Sequence, residues 1–116
     1  MWIMLDRAFL SIVHKPPCGP NELLVRARRK EDIARVFHKP KVTRSTDSDY
    51  LYRAVIDKDE VIEAISHEIG GIDYDNFKDN VEDPILHEAY VKVWSAMAEI
   101  QPLPPYSGMK NQRRKT

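Results

Sequence analysis

Alternating apolar and polar residues predict a β-sheet in the first half of the chain. Residues 2–14 are rich in aromatic and β-branched side chains, and residues 22–28 alternate with a period of two. Residues 42–45 and 50–56 have similar strand character, and the Ser, Thr and Asp residues between them are typical of a turn. We therefore expect about four strands, with the last two forming a hairpin.

Apolar residues at helical spacing predict three helices. The first is short, at 30–37, and the second, at 58–69, ends at two successive glycines. The strongest signal covers 84–100, where Asp83 suits the N-cap position and Pro84 the first turn. Its apolar stripe, expected to pack into the core, comprises Leu86, Ala89, Tyr90, Val93, Trp94, Met97 and Ile100. The order ββαββαα indicates the α+β class, with an antiparallel sheet and helices packed on one face.

The same pattern predicts the domain organisation. We expect one α+β domain over residues 1–101 and a Pro-rich, basic C-terminal tail over residues 102–116. No apolar run reaches the roughly 20 residues of a membrane-spanning helix, and no secretory signal is expected. The single cysteine, Cys18, suits a reducing compartment, so a cytoplasmic protein is expected.

The formal net charge of zero conceals a separation of charge along the chain. Residues 1–45 contain ten Lys or Arg and only four Asp or Glu. Residues 46–105 contain four Lys or Arg and fourteen Asp or Glu. The last eleven residues have no acidic side chain and add a second basic patch, at Lys110, Arg113, Arg114 and Lys115. Such a separation bears on binding partners rather than on fold, and it predicts a bipolar interaction surface.

The basic part of the chain contains the candidate residues for binding an anion or a charged partner, namely Arg26, Arg28, Arg29, Arg44 and Arg53. Arg26 and Arg28 share one face of a predicted strand, and few targets other than phosphates or carboxylates would satisfy several guanidinium groups together. The alternative is that these arginines pair with acidic residues of the same chain or are solvated. Tyr50 and Tyr52 are assigned to the core face. Aromatic rings and arginines are thus expected to point in opposite directions, which argues against an RNA-binding platform.

A polar connector between the last two long predicted helices is the candidate protein-binding segment. It combines acidic and aromatic residues, and exposed aromatic residues often anchor interfaces; its members are Asp73, Tyr74, Asp75, Phe77 and Asp79. Its spacing does not match a calcium-binding loop, because Lys78 and Pro84 occupy the sixth and twelfth positions counted from Asp73. A solvated acidic surface is the alternative interpretation.

No pattern typical of catalysis is found in the sequence. The four histidines, His14, His38, His67 and His87, are isolated from one another, and the common motifs for metal or phosphate binding are missing. No catalytic residue, cofactor or metal site is predicted, and an enzyme is the less favoured interpretation.

Several runs of residues are similar to those of other proteins. They cover residues 1–5, 8–13, 24–28, 49–54, 74–78, 87–90 and 93–95. In these runs the chain resembles a group of small uncharacterised proteins from bacterial and phage genomes. The resemblance covers most of residues 1–100 and brings no activity or catalytic residue with it. It implies a bacterial or phage setting, in which small bipolar domains often bind larger host machines and include inhibitors of host defence systems.

Together these features favour a non-enzymatic interaction module, encoded by a phage or a bacterium, that binds or inhibits a host protein or nucleoprotein machine through its charged faces. The alternative is a small enzyme acting on a nucleotide or another phosphate-bearing substrate, with the same arginines as an anion clamp. Direct binding of nucleic acid is a third hypothesis. A homodimer that pairs the basic and acidic segments head to tail is also left open.

Overall fold

The computed structural model of the protein describes residues 1–108. The strands in this part are β1 (Trp2–Met4), β2 (Phe9–Val13), β3 (Glu22–Ala27), β4 (Thr43–Arg44) and β5 (Tyr52–Asp57). The helices are α1 (Lys30–Ala34), α2 (Lys58–Gly70), α3 (Phe77–Asn80) and α4 (Pro84–Ala98). The predicted α+β class with an antiparallel sheet is confirmed. None of these helices has the length and apolar character needed to cross a lipid bilayer.

The sheet has five antiparallel strands within the described residues, in the order β1-β2-β3-β5-β4. About four strands were expected, and the difference arises because the apolar stretch 2–14 is divided by a tight turn. In this turn the Leu5 N–H donates to the Ala8 carbonyl at 2.8 Å. Asp6 and Arg7 occupy the turn, where polar residues are favoured, so the stretch forms a hairpin rather than one strand.

One face of the sheet is covered by α1 and α2. Because side chains alternate along a strand, every second residue of the three central strands points towards these helices. The main core consists of Leu10, Ile12, Val25, Ala27, Ala54 and Ile56 from the strands and Ile33, Phe37 and Val61 from the helical side. Burial of Val25 and Ala27 agrees with the core face predicted for residues 22–28, but Leu24 on the opposite face is also fully buried, so the strict alternation is wrong at that position.

A smaller apolar cluster joins the first turns of α4 to the β1–β2 hairpin. It contains Val81, Leu86 and Tyr90, packed against Met4, Phe9 and Phe77. The Tyr90 hydroxyl lies 2.9 Å from the Leu5 carbonyl oxygen and 3.0 Å from that of Ala8, and it donates its proton to one of them. Burial raises the pKa of Tyr90, so the hydroxyl remains a donor and anchors the helix to the hairpin.

The C-terminal half of α4 extends away from this anchor. Val93, Trp94, Met97 and Ile100 have 39%, 39%, 57% and 75% of their surface accessible. The expectation that the whole apolar stripe packs into the core is therefore wrong for this half. The hairpin reaches only the first two turns, whereas a 15-residue helix is about 22 Å long. The extension agrees with the elongated dimensions of 60 × 31 × 27 Å.

Candidate functional site

The face of the sheet opposite α1 and α2 carries two arginines on neighbouring strands. Arg26 in β3 lies directly opposite Arg53 in the antiparallel register with β5. Their neighbours Val25 and Ala54 point into the core, so the two arginine side chains point to the other face. The Cβ atoms of directly opposed residues are about 5 Å apart, and like charges at such positions repel each other. This arrangement favours the approach of negative charge.

Tyr50 contacts two arginines on this face. It precedes β5, so the alternation of that strand does not determine where its side chain points. The ring is almost fully buried, and the guanidinium carbons of Arg26 and Arg28 lie 4.6 and 4.2 Å from its centroid, at cation–π distance. The expectation that aromatic rings and arginines point in opposite directions is therefore wrong for Tyr50, although Tyr52 does pack against the core. We call Arg26, Arg28, Arg53 and Tyr50 the arginine face.

Two short hydrogen bonds hold the arginines against Tyr50. Arg26 Nη2 donates to Ser11 Oγ at 2.8 Å, and Arg28 Nη1 donates to the Asp49 carbonyl oxygen at 2.6 Å. Neither partner was predicted from the sequence. Ser11 is the only polar residue of β2 and is fully buried, so its position in an otherwise apolar strand is a signal that could have identified it.

Negative charge is scarce around the arginine face. The Asp49 carboxylate is loosely engaged, because its Oδ1 lies 3.9 Å from Arg26 Nη1 and its side chain is 70% exposed. Within residues 1–108 it is the only carboxylate at ion-pair distance from Arg26, Arg28 or Arg53. Exposed pairs of this kind contribute about 0–1 kcal/mol. Arg26 therefore has one weakly bound carboxylate, and Arg28 and Arg53 have none at ion-pair distance within residues 1–108.

Part of the hydrogen-bonding capacity of Arg26 and Arg53 is unused. Nε of both arginines and Nη2 of Arg53 are shielded from solvent and have no hydrogen-bond partner among residues 1–108. Nε and Nη2 form one edge of the planar guanidinium group, and this edge matches two oxygens of a carboxylate or a phosphate. A buried donor without a partner costs about 1–3 kcal/mol. An oxyanion that reached this edge would remove that cost.

Arg29 lies in a different environment, between α1 and the start of α4. Its Nε donates to Asp32 Oδ1 at 3.1 Å and its Nη1 to Asp83 Oδ2 at 2.7 Å. Asp32 is buried, and Asp83 caps α4 by accepting hydrogen bonds from the first backbone N–H groups of the helix. The hydrogen bond from Arg29 holds the pKa of Asp83 below its usual range. Burial opposes the charge of Arg29, but its hydrogen bonds to Asp83 and Asp32 raise its pKa. This cluster connects elements of the fold.

Arg44 is also separate from the arginine face. It lies opposite Tyr52 in the pairing of β4 with β5, which places it on the helix-covered side at an exposed edge strand. The structure therefore brings together Arg26, Arg28 and Arg53 from the predicted set, and it separates Arg29 and Arg44 from them.

The acidic connector, residues 73–79, is partly built into the small apolar cluster. The Phe77 ring stacks on Tyr90 at 5.5 Å between centroids and contacts Tyr74 at 5.9 Å. Asn76 caps α3 by accepting a hydrogen bond from the Asp79 N–H. The carboxylates at 73, 75 and 79 are exposed, whereas the two aromatic rings are partly buried. The connector thus presents acidic groups at its surface and uses its rings mainly for packing.

Three of the four histidines, His14, His38 and His67, lie on other surfaces. His14 lines a shallow cleft with residues of α2, and its Nε2 lies 3.0 Å from the Gly19 carbonyl oxygen. His38 and His67 line a cleft between the α1 region and α2. All three are on the helix-covered side of the sheet, away from Arg26. Within residues 1–108, no three His, Cys, Asp or Glu side chains are grouped so that they could hold a metal ion.

The basic patch predicted at Lys110, Arg113, Arg114 and Lys115 lies outside the described residues. Comparison of the chain with protein-family models, with curated proteins and with solved structures finds no match. The geometry of the arginine face is therefore the basis for a functional proposal.

Proposed function

We propose that the protein is a non-enzymatic binding module whose arginine face recognises anionic groups on a partner protein or nucleoprotein. The observation that carries the proposal is the opposed pair Arg26 and Arg53, in which Nε of both residues and Nη2 of Arg53 are buried and lack a hydrogen-bond partner within residues 1–108. Phosphates and carboxylates are the groups that such N–H edges bind most strongly. Because the chain resembles bacterial and phage proteins, we propose a host protein or nucleoprotein machine as the partner, which binding would inhibit.

The energetics of the arginine face support binding rather than stabilisation of the fold. Opposed like charges destabilise a sheet, and unpaired buried donors add to that cost. Apolar residues at these positions would avoid both costs, so the arginines are better explained by an external ligand. Arg26 is already oriented by Ser11 and Tyr50, which reduces the entropy that binding must overcome.

The acidic connector is the second contact surface in this proposal. Its exposed carboxylates, at Asp73, Asp75 and Asp79, carry the opposite sign to the arginine face. A partner with matching acidic and basic patches would contact both surfaces, and the two signs would set its orientation.

The geometry gives less support to the other two hypotheses. Tyr50 is almost fully buried, so its ring cannot stack on a nucleic-acid base. His14, His38 and His67 line clefts on the other side of the sheet from Arg26, whereas an enzyme acting on a bound phosphate ester requires a group positioned for proton transfer. Binding of nucleic acid would therefore depend on backbone phosphates alone.

Fluorescence anisotropy with two labelled probes, an oligoglutamate peptide and a short DNA duplex, tests the proposal. The variant R26K/R53K keeps the net charge but replaces the planar fork by a single ammonium group. We expect the affinity for the better-bound probe to fall by about tenfold or more, because hydrogen bonds to charged groups contribute about 1.5–3 kcal/mol. Tight binding of the duplex that weakens steeply with salt would identify phosphates as the target.

The matched control is K41A/R44A, which removes two exposed positive charges outside the arginine face. This control should retain most of the affinity, and circular dichroism should show both variants folded. Equal losses in the two variants, or no measurable binding of either probe, would contradict recognition by the arginine face.

A further inference from the structure

The outer edge of β1 carries backbone groups that no described residue binds. Met1 and Ile12 exchange two hydrogen bonds of 2.8 Å, one from the terminal amino group of Met1 and one from the Ile12 N–H. Because hydrogen-bonded and non-hydrogen-bonded pairs alternate in an antiparallel ladder, the N–H and C=O groups of Trp2 and Met4 point away from β2. β1 is the outermost strand, so within residues 1–108 these four groups have no strand beside them.

The chain that follows α2 passes this edge and leaves a cleft beside it. Ile65 of α2 packs against the main core on the helix-covered side, whereas Phe77 packs with Met4 on the opposite side of the sheet. The crossing segment between them, residues 71–76, therefore passes from one side of the sheet to the other next to β1. A cleft of about 560 Å³ lies between β1 and the crossing segment, and its volume is within the roughly 300–1,000 Å³ typical of ligand sites.

The walls of the cleft are apolar where they adjoin β1. Ile3 lines the cleft from the sheet, and Ile69 and Ile72 line it from the other side, with 64% and 51% of their surface accessible. A free backbone edge next to apolar side chains is the arrangement to which an extended peptide adds as a further strand. We infer that the cleft receives an extended segment of the partner protein, which pairs with β1. The inference rests on the proposed function, because it specifies how a protein partner contacts the side of the molecule that carries the acidic connector.

The charges around the cleft determine which segment fits. The cleft is lined by one guanidinium group and three carboxylates, those of Arg7, Asp6, Glu68 and Asp73. Arg7 donates hydrogen bonds to Asp6 and Glu68, whereas Asp73 is exposed. The surroundings of the cleft are therefore negative overall. Side chains of an added strand alternate between the two sides of the sheet, so the matching segment has apolar residues at every second position and a Lys or Arg next to them.

A second copy of the chain fits the cleft less well. Its β1 is accompanied by its own crossing segment, so two sheet edges could reach the strand spacing of about 4.8 Å only if both segments were displaced. The sequence of β1, Trp2 to Met4, also has no basic residue to place near Asp73. A single extended segment meets neither obstacle.

Fluorescence anisotropy with a labelled hexapeptide, Lys-Val-Thr-Val-Thr-Val, tests the addition of a strand. Two N-methylated forms are the matched pair, one methylated at its second and fourth residues and the other at its third and fifth. Alternate N–H groups of an extended chain point to opposite edges, so only one of the two forms has its methyl groups against β1. That form should bind at least about tenfold more weakly than the unmodified peptide, and the other should bind nearly as tightly. No binding of the unmodified peptide, or equal losses in the two forms, would overturn the inference.

Two substitutions of Trp2 test the contribution of the edge. W2P removes an N–H that points away from β2, and proline is tolerated at such positions of edge strands, whereas W2A removes the same ring and keeps the N–H. W2P should bind the hexapeptide at least about threefold more weakly than W2A, with both variants folded by circular dichroism. Equal affinities of the two variants would contradict pairing with β1. A wild-type dimer in analytical ultracentrifugation that W2P abolishes would assign the edge to a second copy instead.

Strand addition and recognition by the arginine face fail separately in these assays. R26K/R53K should bind the hexapeptide like the wild type, and W2P should bind the oligoglutamate and DNA probes like the wild type. Absence of hexapeptide binding with intact binding of the anionic probes would reject strand addition alone. The reverse result would reject recognition by the arginine face alone.

Discussion

Arg29 and Arg53 differ in the charge of their neighbours, because Arg29 lies between carboxylates and Arg53 lies opposite another arginine. Arg29 donates hydrogen bonds to two carboxylates, Asp32 in α1 and Asp83 at the start of α4, and its remaining Nη2, which makes no hydrogen bond of its own, still lies 2.9 Å from Asp32 Oδ1. Arg53 lies opposite another arginine, and two of its buried nitrogens have no partner within residues 1–108. The position of an arginine relative to acidic groups, and not its charge alone, thus distinguishes arginines that hold the fold together from those available to a partner.

The variant D32A should have the largest effect on the stability of the protein. It removes a buried carboxylate from Arg29 and leaves the Phe9 N–H, which donates to Asp32 Oδ2 at 3.1 Å, without its acceptor. Arg29 keeps its bond to Asp83, but the variant loses the charge-assisted hydrogen bond to Asp32 and leaves the partly buried Phe9 N–H unpaired, so we expect the free energy of unfolding to fall by about 3–5 kcal/mol. Urea denaturation followed by circular dichroism measures this change in the free energy of unfolding. A loss below about 1 kcal/mol would show that the Arg29 cluster is not structural.

Replacement of Arg53 by methionine should have the opposite consequence. The change removes two unpartnered donors and the repulsion from Arg26, so the free energy of unfolding should stay constant or rise by up to about 1 kcal/mol. Binding of the anionic probes should be lost at the same time. The control R29M should destabilise the protein clearly. A destabilised R53M variant would mean that Arg53 is a structural residue like Arg29.

The pH dependence of stability offers a further contrast. The hydrogen bond from Arg29 lowers the pKa of Asp83. The ionised Asp83 side chain therefore contributes its full stabilisation above the ordinary Asp pKa near 3.8. This stabilisation is lost as the pH falls through the lowered pKa of Asp83 in the folded protein. The variant D83N retains a capping side chain but not the charge. Its deficit in unfolding free energy relative to the wild type should therefore shrink between pH 5 and pH 2 in urea titrations. A constant deficit over this range would contradict the ion pair.

The smallest effect is expected at Asp49. Because its carboxylate is exposed and 3.9 Å from Arg26, D49N should change the free energy of unfolding by less than about 0.5 kcal/mol. Removal of this one competing carboxylate should tighten binding of the anionic probes by about twofold. Weaker binding by D49N would show that Asp49 orients the arginine face rather than competing for it.

Most of the fold follows from local patterns in the sequence. The alternation around Val25 identifies the core face of β3, and the helix predicted at 58–69 agrees with α2 at Lys58–Gly70. Asp83 and Pro84 mark the start of α4 correctly, because capping depends on adjacent residues. An amphipathic pattern does not show what covers the apolar stripe, however. The exposure of Val93 was therefore not predictable from its spacing.

The candidate site was only partly predictable for similar reasons. Arg26 and Arg53 were identified as candidates, because strand alternation places each of them on a definite face. Tyr50 precedes its strand, so alternation gives no direction for its ring. The role of Arg29 depends on Asp83, which is 54 residues away in the sequence. Contacts between residues that far apart depend on the tertiary arrangement and have no local signal.

The most direct test of the arginine face is an NMR titration of the arginine Nε–H resonances with inorganic phosphate. Arg26 and Arg53 each have an Nε–H without a partner among residues 1–108, whereas the Nε–H of Arg29 donates to Asp32. We expect the resonances of Arg26 and Arg53 to shift progressively and to saturate, while that of Arg29 stays in place. Equal shifts at all three arginines, or no shift at Arg53, would contradict the claim that these donors are available to an external oxyanion.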